Sequence, residues 1–222
     1  MNGRHELKFY INPVDCAELR ARLRIVAQLD KNAGEKDSYK IRSLYFDNYL
    51  DMAVFEKLSG QSKREKYRLR YYNKDTSFIR LEKKSKANKL TYKESSPITM
   101  EQCRELLSGN YRFLKSSDNP LMMEFYIKIH NHCLRPKNIV EYHREAYIYN
   151  AGNVRITLDT RIRTSNNVKD FLNPNLTSIP AANAIILEIK YDGFLPDVIR
   201  SMVQISSRNQ TEFSKYVTAR FV

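Results

Sequence analysis

The chain has 222 residues, 42% hydrophobic and 11% aromatic, which is too apolar for a disordered chain and long enough for one large domain or two small ones. Its formal net charge of +13 calls for an anionic partner: nucleic acid, an anionic membrane or a phosphate-rich small molecule. Cys16, Cys103 and Cys133 lack zinc spacing, residues 1–5 lack the apolar stretch of a signal peptide, and no run of 18 apolar residues exists; free buried thiols, a cytoplasmic location and no membrane span are expected.

Residues 4–11 alternate, with Arg4, Glu6, Lys8 and Tyr10 on one face and His5, Leu7, Phe9 and Ile11 on the other, as a strand requires. Asn12-Pro13 then supplies the cap and first residue of a helix whose Cys16, Leu19, Leu23 and Val26 form an apolar stripe. Residues 31–38 read as a polar loop, 39–47 as a strand and 48–58 as a short helix stopped near Gly60. Residues 63–72 place Arg64, Lys66, Arg68 and Arg70 on one face of a strand, against Lys63, Glu65, Tyr67, Leu69 and Tyr71 on the other. Four adjacent cations repel one another. Either the row is a solvated face, or it faces an anion with many oxygens, for which the forked guanidinium is suited. Turns at 73–75 and at Asn88 make 77–86 and 90–96 the next strands of a meander, with Glu82, Lys84 and Lys86 on one face and Lys93 in the last strand.

Thr99, with Gln102 three residues on, opens a helix anchored by Leu106 and Leu107, and Asn119-Pro120 opens another with Leu121, Phe125, Ile129 and Cys133 on one stripe. His130 and His132 lack companion ligands for a metal and belong on the surface. Residues 137–149 form a strand with Tyr142 and Arg144 on one side and His143 opposite. In 154–162, Val154, Ile156, Leu158 and Ile162 oppose Arg155, Thr157, Asp159, Arg161 and Arg163, with Asp159 a structural residue. Residues 164–180 are Asn-, Ser- and Pro-containing and read as a loop or flap. The strand 184–192 sets Glu188 and Lys190 against Ile185, Leu187, Ile189 and Tyr191; helices follow from Pro196 to about Ser206 and from Glu212 to Phe221. No repeat or linker divides the chain, so residues 1–222 read as a single domain.

Nearly every strand thus has one apolar and one charged face. An open sheet with a wet face would account for this. The charged faces mix Arg, Lys, Glu, Thr and Tyr, which fits better an α+β fold: a closed antiparallel eight-stranded tunnel with a polar bore and helices packed on the outside. Cations converging in such a bore require an anion. There is no GxxxxGK[ST] run to cradle phosphate instead.

The set Arg4-His5-Glu6-Leu7-Lys8, Leu44-Tyr45-Phe46-Asp47-Asn48, Tyr67-Arg68-Leu69-Arg70, Leu81-Glu82-Lys83-Lys84, Tyr142-His143-Arg144, 154–159, Leu187-Glu188-Ile189-Lys190 and Phe213-Ser214-Lys215-Tyr216 resembles, in order and parity, the VTC domain. This is the polyphosphate polymerase domain of the vacuolar transporter chaperone and its bacterial relatives, among the triphosphate tunnel metalloenzymes. The resemblance implies a metal-dependent transfer of the ATP γ-phosphoryl group onto a growing inorganic polyphosphate chain, with no nucleic acid as partner. It implies that Lys8, Lys57, Arg68, Arg70, Lys84, Lys93, Tyr142, Arg144, Arg155, Lys190, Ser214 and Lys215 bind substrate. Among these Lys215 and Arg70, with Glu188, serve catalysis, and Glu188 binds Mn or Mg. Lys57, Lys86 and Glu212 depart from the fungal pattern of Arg, His and Lys. Two alternatives stand beside this reading. One is a tunnel triphosphatase, although Arg4 fills the first acidic slot of that group's Glu-x-Glu-x-Lys opening. The other is a non-catalytic module: a nucleic-acid binder, whose cations would lie on an outer surface, or a polyanion sensor that keeps the tunnel.

Overall fold

Alternation along the chain produces the expected strands, and their order determines what the charged faces meet. The computed structural model describes residues 3–34, 37–88, 90–205 and 208–222. β1 (His5–Ile11) is followed by α1 (Pro13–Val26), whose Asn12 cap and Asp15 exchange hydrogen bonds of 2.8 and 2.9 Å. β2 (Gln28–Leu29), β3 (Tyr39–Asp47) and α2 (Met52–Leu58) lead into the meander β4 (Lys63–Tyr72), β5 (Asp75–Ala87) and β6 (Leu90–Ile98). The helices α3 (Met100–Ser108), α4 (Arg112–Lys115) and α5 (Pro120–Asn131) precede β7 (Arg135–Tyr149) and β8 (Val154–Ser165). β9 (Ile179–Ala182), β10 (Ile185–Tyr191), α6 (Asp197–Val203) and α7 (Lys215–Arg220) complete the chain. Ser206, the expected end of the helix from Pro196, lies outside the described residues.

The strands form one ten-stranded antiparallel sheet in the order β1-β10-β8-β7-β3-β4-β5-β6, with β2 added to β7 and β9 to β8. The expectation of eight strands closed into a tunnel is corrected here. Among the described residues the edge strands β1 and β6 do not form a ladder. They meet at a single bridge, where Arg4 and Thr91 exchange backbone hydrogen bonds of 3.0 and 3.1 Å. The reason is local: the free edge of β1 is covered elsewhere, by the bridge of Phe9 with Gln210 and by Thr211 N–H donating to the Lys8 carbonyl at 2.8 Å.

Two apolar clusters cover the outer face. α1 and α6 bring Cys16, Leu19, Leu23 and Ile199 onto Ile156, Leu158, Leu187 and Ile189. α3, α4 and α5 bring Cys103, Leu106, Leu114 and Phe125 onto Leu44, Phe46, Tyr67, Leu69 and Leu81. On β4, β5 and β10 the outer residues alternate with inner charged ones, so this burial fixes the register of the charged rows. A third cluster lies on the inner face. Tyr216, Val217 and Ala219 of α7 pack with Val140, Tyr142 and Ala146, which share the parity of Arg144 on β7. The expectation that all helices pack outside therefore fails for α7, which fills part of the bore, and for α2, whose Ala53 and Val54 join the same cluster.

Several other expectations need correction. Arg161 has φ 53° and marks an extra residue in β8, where Glu141 pairs with Arg163 but His143 with Thr160. Beyond it the faces exchange. Ile162 joins the inner cluster, apart from Val154, Ile156 and Leu158, and Arg163 bonds Ser178 instead of facing the bore. Residues 164–180 contain the end of β8, a short 3-10 helix Val168–Leu172 and the start of β9 rather than a plain loop. Glu212 precedes α7 instead of opening it. Cys16 and Cys103 are buried, but Cys133 is exposed beyond the end of α5, off the stripe it was assigned to.

Candidate functional site

The charged faces of the strands turn toward one another around a cavity of about 520 Å³. Among the described residues, fourteen lysine and arginine side chains line it against four glutamates, Glu6, Glu82, Glu188 and Glu212. Every site residue expected from the sequence stands on its wall: Lys8, Lys57, Arg68, Arg70, Lys84, Lys93, Tyr142, Arg144, Arg155, Glu188, Lys190, Ser214 and Lys215. Strand parity brings most of them there. The bore reaches Lys57 from α2 and Ser214 and Lys215 from the start of α7.

The carboxylates hold the cations in clusters. Arg144 donates two hydrogen bonds to Asp159, at 2.6 and 2.8 Å, and Lys215 donates a third at 2.5 Å. Burial opposes the charge of Asp159, but Arg144 and Lys215 outweigh it and keep the carboxyl below its usual range. Arg68 donates to Glu82 at 2.8 Å and to the Tyr45 hydroxyl at 3.1 Å; Arg70 lies 3.5 Å from Glu82 and donates to Ser43 and Tyr142 hydroxyls at 3.0 and 3.1 Å. Lys93 also meets Glu82. Lys84 on β5 joins Glu6 on β1 at 2.7 Å. Burial would raise the Glu6 pKa, yet Lys84 and Lys190 bring it to about 2. Arg155 pairs with the buried Asp30 and donates to the Tyr39 hydroxyl at 2.9 Å.

Glu188 differs from these. It is buried, and its contacts are long: 3.3 Å to Lys190, 3.4 Å to Arg144 and 3.6 Å to Lys8. Burial opposes its charge, but Lys190, Lys8 and Arg144 hold it ionised, well below the usual carboxylate range. Among the described residues no three metal-ligating side chains converge. A hard divalent cation that takes one or two carboxylates, with phosphate and water oxygens completing its shell, does fit such a loosely held carboxylate. Glu6 and Asp159 both feel the charge of Glu188; Asp159 accepts three short hydrogen bonds from Arg144 and Lys215, and Glu6, among the described residues, accepts from Lys84 alone.

The sequence reading left Arg4, Arg64, Lys66 and Lys86 out of the site, and all four line the cavity. The signal was the shared parity of Arg64 and Lys66 with Arg68 and Arg70, and of Lys86 with Lys84. Lys66 stands out chemically. Its side-chain hydrogen bond goes to the Ser214 hydroxyl at 3.4 Å, and its ammonium lies 5.2 Å from the Tyr216 ring centroid. Burial, then the charges of Lys84, Lys8, Arg64 and Lys57, lower its pKa to about 7.

The VTC domain family model matches residues 3–222. This chain belongs to the VTC domain family. No curated protein matches the sequence. Among solved structures, PH1012 from Pyrococcus horikoshii OT3 is 14% identical with a TM-score of 0.53, over 97% of this chain and 98% of that one. HpAC1 of Hippeastrum, a putative adenylyl cyclase with a dominant triphosphatase activity, is 12% identical with a TM-score of 0.52, over 91% and 84%. A putative adenylate cyclase from Bacillus halodurans is 14% identical with a TM-score of 0.51, over 93% and 96%. At such identities the likeness is one of fold, and with the family match it puts this VTC domain in the triphosphate-tunnel superfamily. No helix among its described residues is long and apolar enough to cross a membrane.

Proposed function

We infer that this VTC domain is a polyphosphate-polymerase-type phosphoryl transferase, formed by the whole chain as one unit, that passes the ATP γ-phosphoryl group to the end of an inorganic polyphosphate chain. One observation carries the reading. The cation row on β4 runs from Arg64 to Arg70 along the cavity wall, a span of roughly 20 Å at the rise of a strand, much longer than a triphosphate. Donor and acceptor phosphates can therefore lie end to end in one bore.

Phosphoryl transfer demands positioning and charge neutralisation more than covalent help from protein. Arg68, Arg70 and Lys93 form one grip, and Lys8, Arg144, Lys190 and Lys215, gathered around Glu188 and Asp159, form another. Lys84 and Ser214 add donors between them. Arg155 and Lys57 extend the charge outward. Tyr39 and Tyr72, edge to face at 5.8 Å, offer aromatic surface beside Arg155 for a nucleotide base. Glu188, with Glu6, would hold Mn or Mg, which when bound neutralises phosphate oxygens. Fourteen cations turned inward disfavour a nucleic-acid-binding surface.

Incubation with ATP and Mn, followed by gel separation, tests the proposal. Long polyphosphate is the expected product. Free phosphate without chain would favour the triphosphatase reading, for which HpAC1 offers a precedent of fold. Binding without turnover would leave a polyanion-binding module.

A further inference from the structure

We propose that Lys57, Arg64 and Lys86 form an outer phosphate position of the cavity, and that Glu212 is its built-in competitor, a carboxylate that long polyphosphate chains displace and short ones do not reach. The proposal rests on the polyphosphate reading and assigns Glu212 a role in selecting substrate length.

Three cations from α2, β4 and β5 converge on one carboxylate. Lys57 bonds Glu212, and Arg64 and Lys86 lie 3.6 Å from it. The exposures decide which partner is the insert. The side chains of Lys57 and Arg64 are 12% and 10% accessible, whereas that of Glu212 is 67% accessible. A carboxylate placed to neutralise buried cations would itself be buried, as Glu82 and Asp159 are at 1% and 0%. Glu212 instead meets the cations from the solvent side, as an incoming phosphate would. Its backbone is fixed by the bridge of Gln210 to β1 and by Thr211 bonding Lys8, so displacement needs only a side-chain rotation. The carboxylate itself stays largely in solvent, so little desolvation holds it in place.

The geometry also separates short from long anions. Arg64 lies two residues beyond Lys66 on β4, about 7 Å along the strand. A triphosphate seated between Arg70 and Lys66 stays inside the Glu212 position. A longer chain following the same row must cross it.

Calorimetric titration of the full chain with inorganic tripolyphosphate and with long-chain polyphosphate, using wild type and Glu212→Gln, tests this. Glu212→Gln is expected to tighten long-chain binding about tenfold, the size of one charge-assisted contact, and tripolyphosphate binding less than about twofold on the same scale. In the Glu212→Gln background, Lys86→Met should return long-chain affinity toward the wild-type value. Equal shifts for both ligands, or none, would overturn the role of Glu212 while leaving wild-type polyphosphate binding intact. Failure of the wild type to bind either ligand would overturn the polyphosphate reading itself.

Discussion

Arg144 on β7 and Asp159 on β8 are paired residues of adjacent strands, joined by two side-chain hydrogen bonds of 2.6 and 2.8 Å, with both side chains withdrawn from solvent. Lys215 closes on the same carboxylate at 2.5 Å, so the pair also anchors α7 inside the bore. Asp159 thus holds two of the cavity's cations in place.

Asp159→Asn takes the carboxylate from buried Lys215 and leaves Arg144 with only its longer contact to Glu188, at 3.4 Å. It is expected to cost about 3–5 kcal/mol of stability, read by denaturant unfolding. Addition of tripolyphosphate should restore part of the loss, because the ligand supplies the missing negative charge. A loss untouched by ligand would show that the pair does not face the anion.

Lys66→Met removes a cation that burial and its neighbours destabilise. The variant should melt at a higher temperature than wild type, by roughly 2–4 °C for each kcal/mol recovered in a chain of this size, and bind tripolyphosphate more weakly. Thermal melts with and without ligand measure both. A variant less stable than wild type would show that Lys66 is held by attractions the cation-rich surroundings conceal.

The same residue sets opposite pH trends for stability and binding. Its folded pKa, about 7, lies below the value of 10.5 for a free lysine. Between these values the unfolded chain binds more protons than the folded one, so Lys66 makes stability rise with pH across that window and contributes no slope below it. Polyanion binding needs the charged form, so affinity should fall as pH rises above about 7. On the acid side Glu6 behaves in reverse. With its pKa near 2 against 4.5 when unperturbed, it contributes stability that is full above about 4.5 and lost as pH falls toward 2. Melting curves across pH, compared with Lys66→Met and Glu6→Gln, separate the two contributions.

Arg70→Ala should leave the protein folded, since Glu82 keeps Arg68 and Lys93 as partners. Its affinity for triphosphate should fall by about ten- to a hundredfold, the range of a hydrogen bond to a charged group. Wild-type affinity in this variant would argue against the bore as the binding site.

Glu188→Gln should abolish metal-stimulated turnover while leaving metal-free tripolyphosphate binding as tight as wild type or tighter, because Lys8, Arg144 and Lys190 lose a competing anion. Unchanged metal dependence would move the metal away from Glu188.

The strands and most of their parity were legible in the sequence because alternation is a local property; the thirteen wall residues came from the resemblance to the VTC domain, and Lys57, Ser214 and Lys215 among them lie on or beside helices, where strand alternation says nothing. An apolar residue at every second position dictates where the charged one between must point, and the outer clusters hold that register. The bulge at Arg161 was not legible, since an extra residue is visible only against the partner strand, and it redirected Ile162 and Arg163. Nor could sequence alone show that β1 gives its free edge to 210–211 rather than to β6, that α7 enters the bore, or that Lys66 reaches the Ser214 hydroxyl rather than a carboxylate among the described residues. Each of these depends on distant segments meeting in space. Covalent order sets which side chains share a face; only the folded chain decides which of those charges are answered by others.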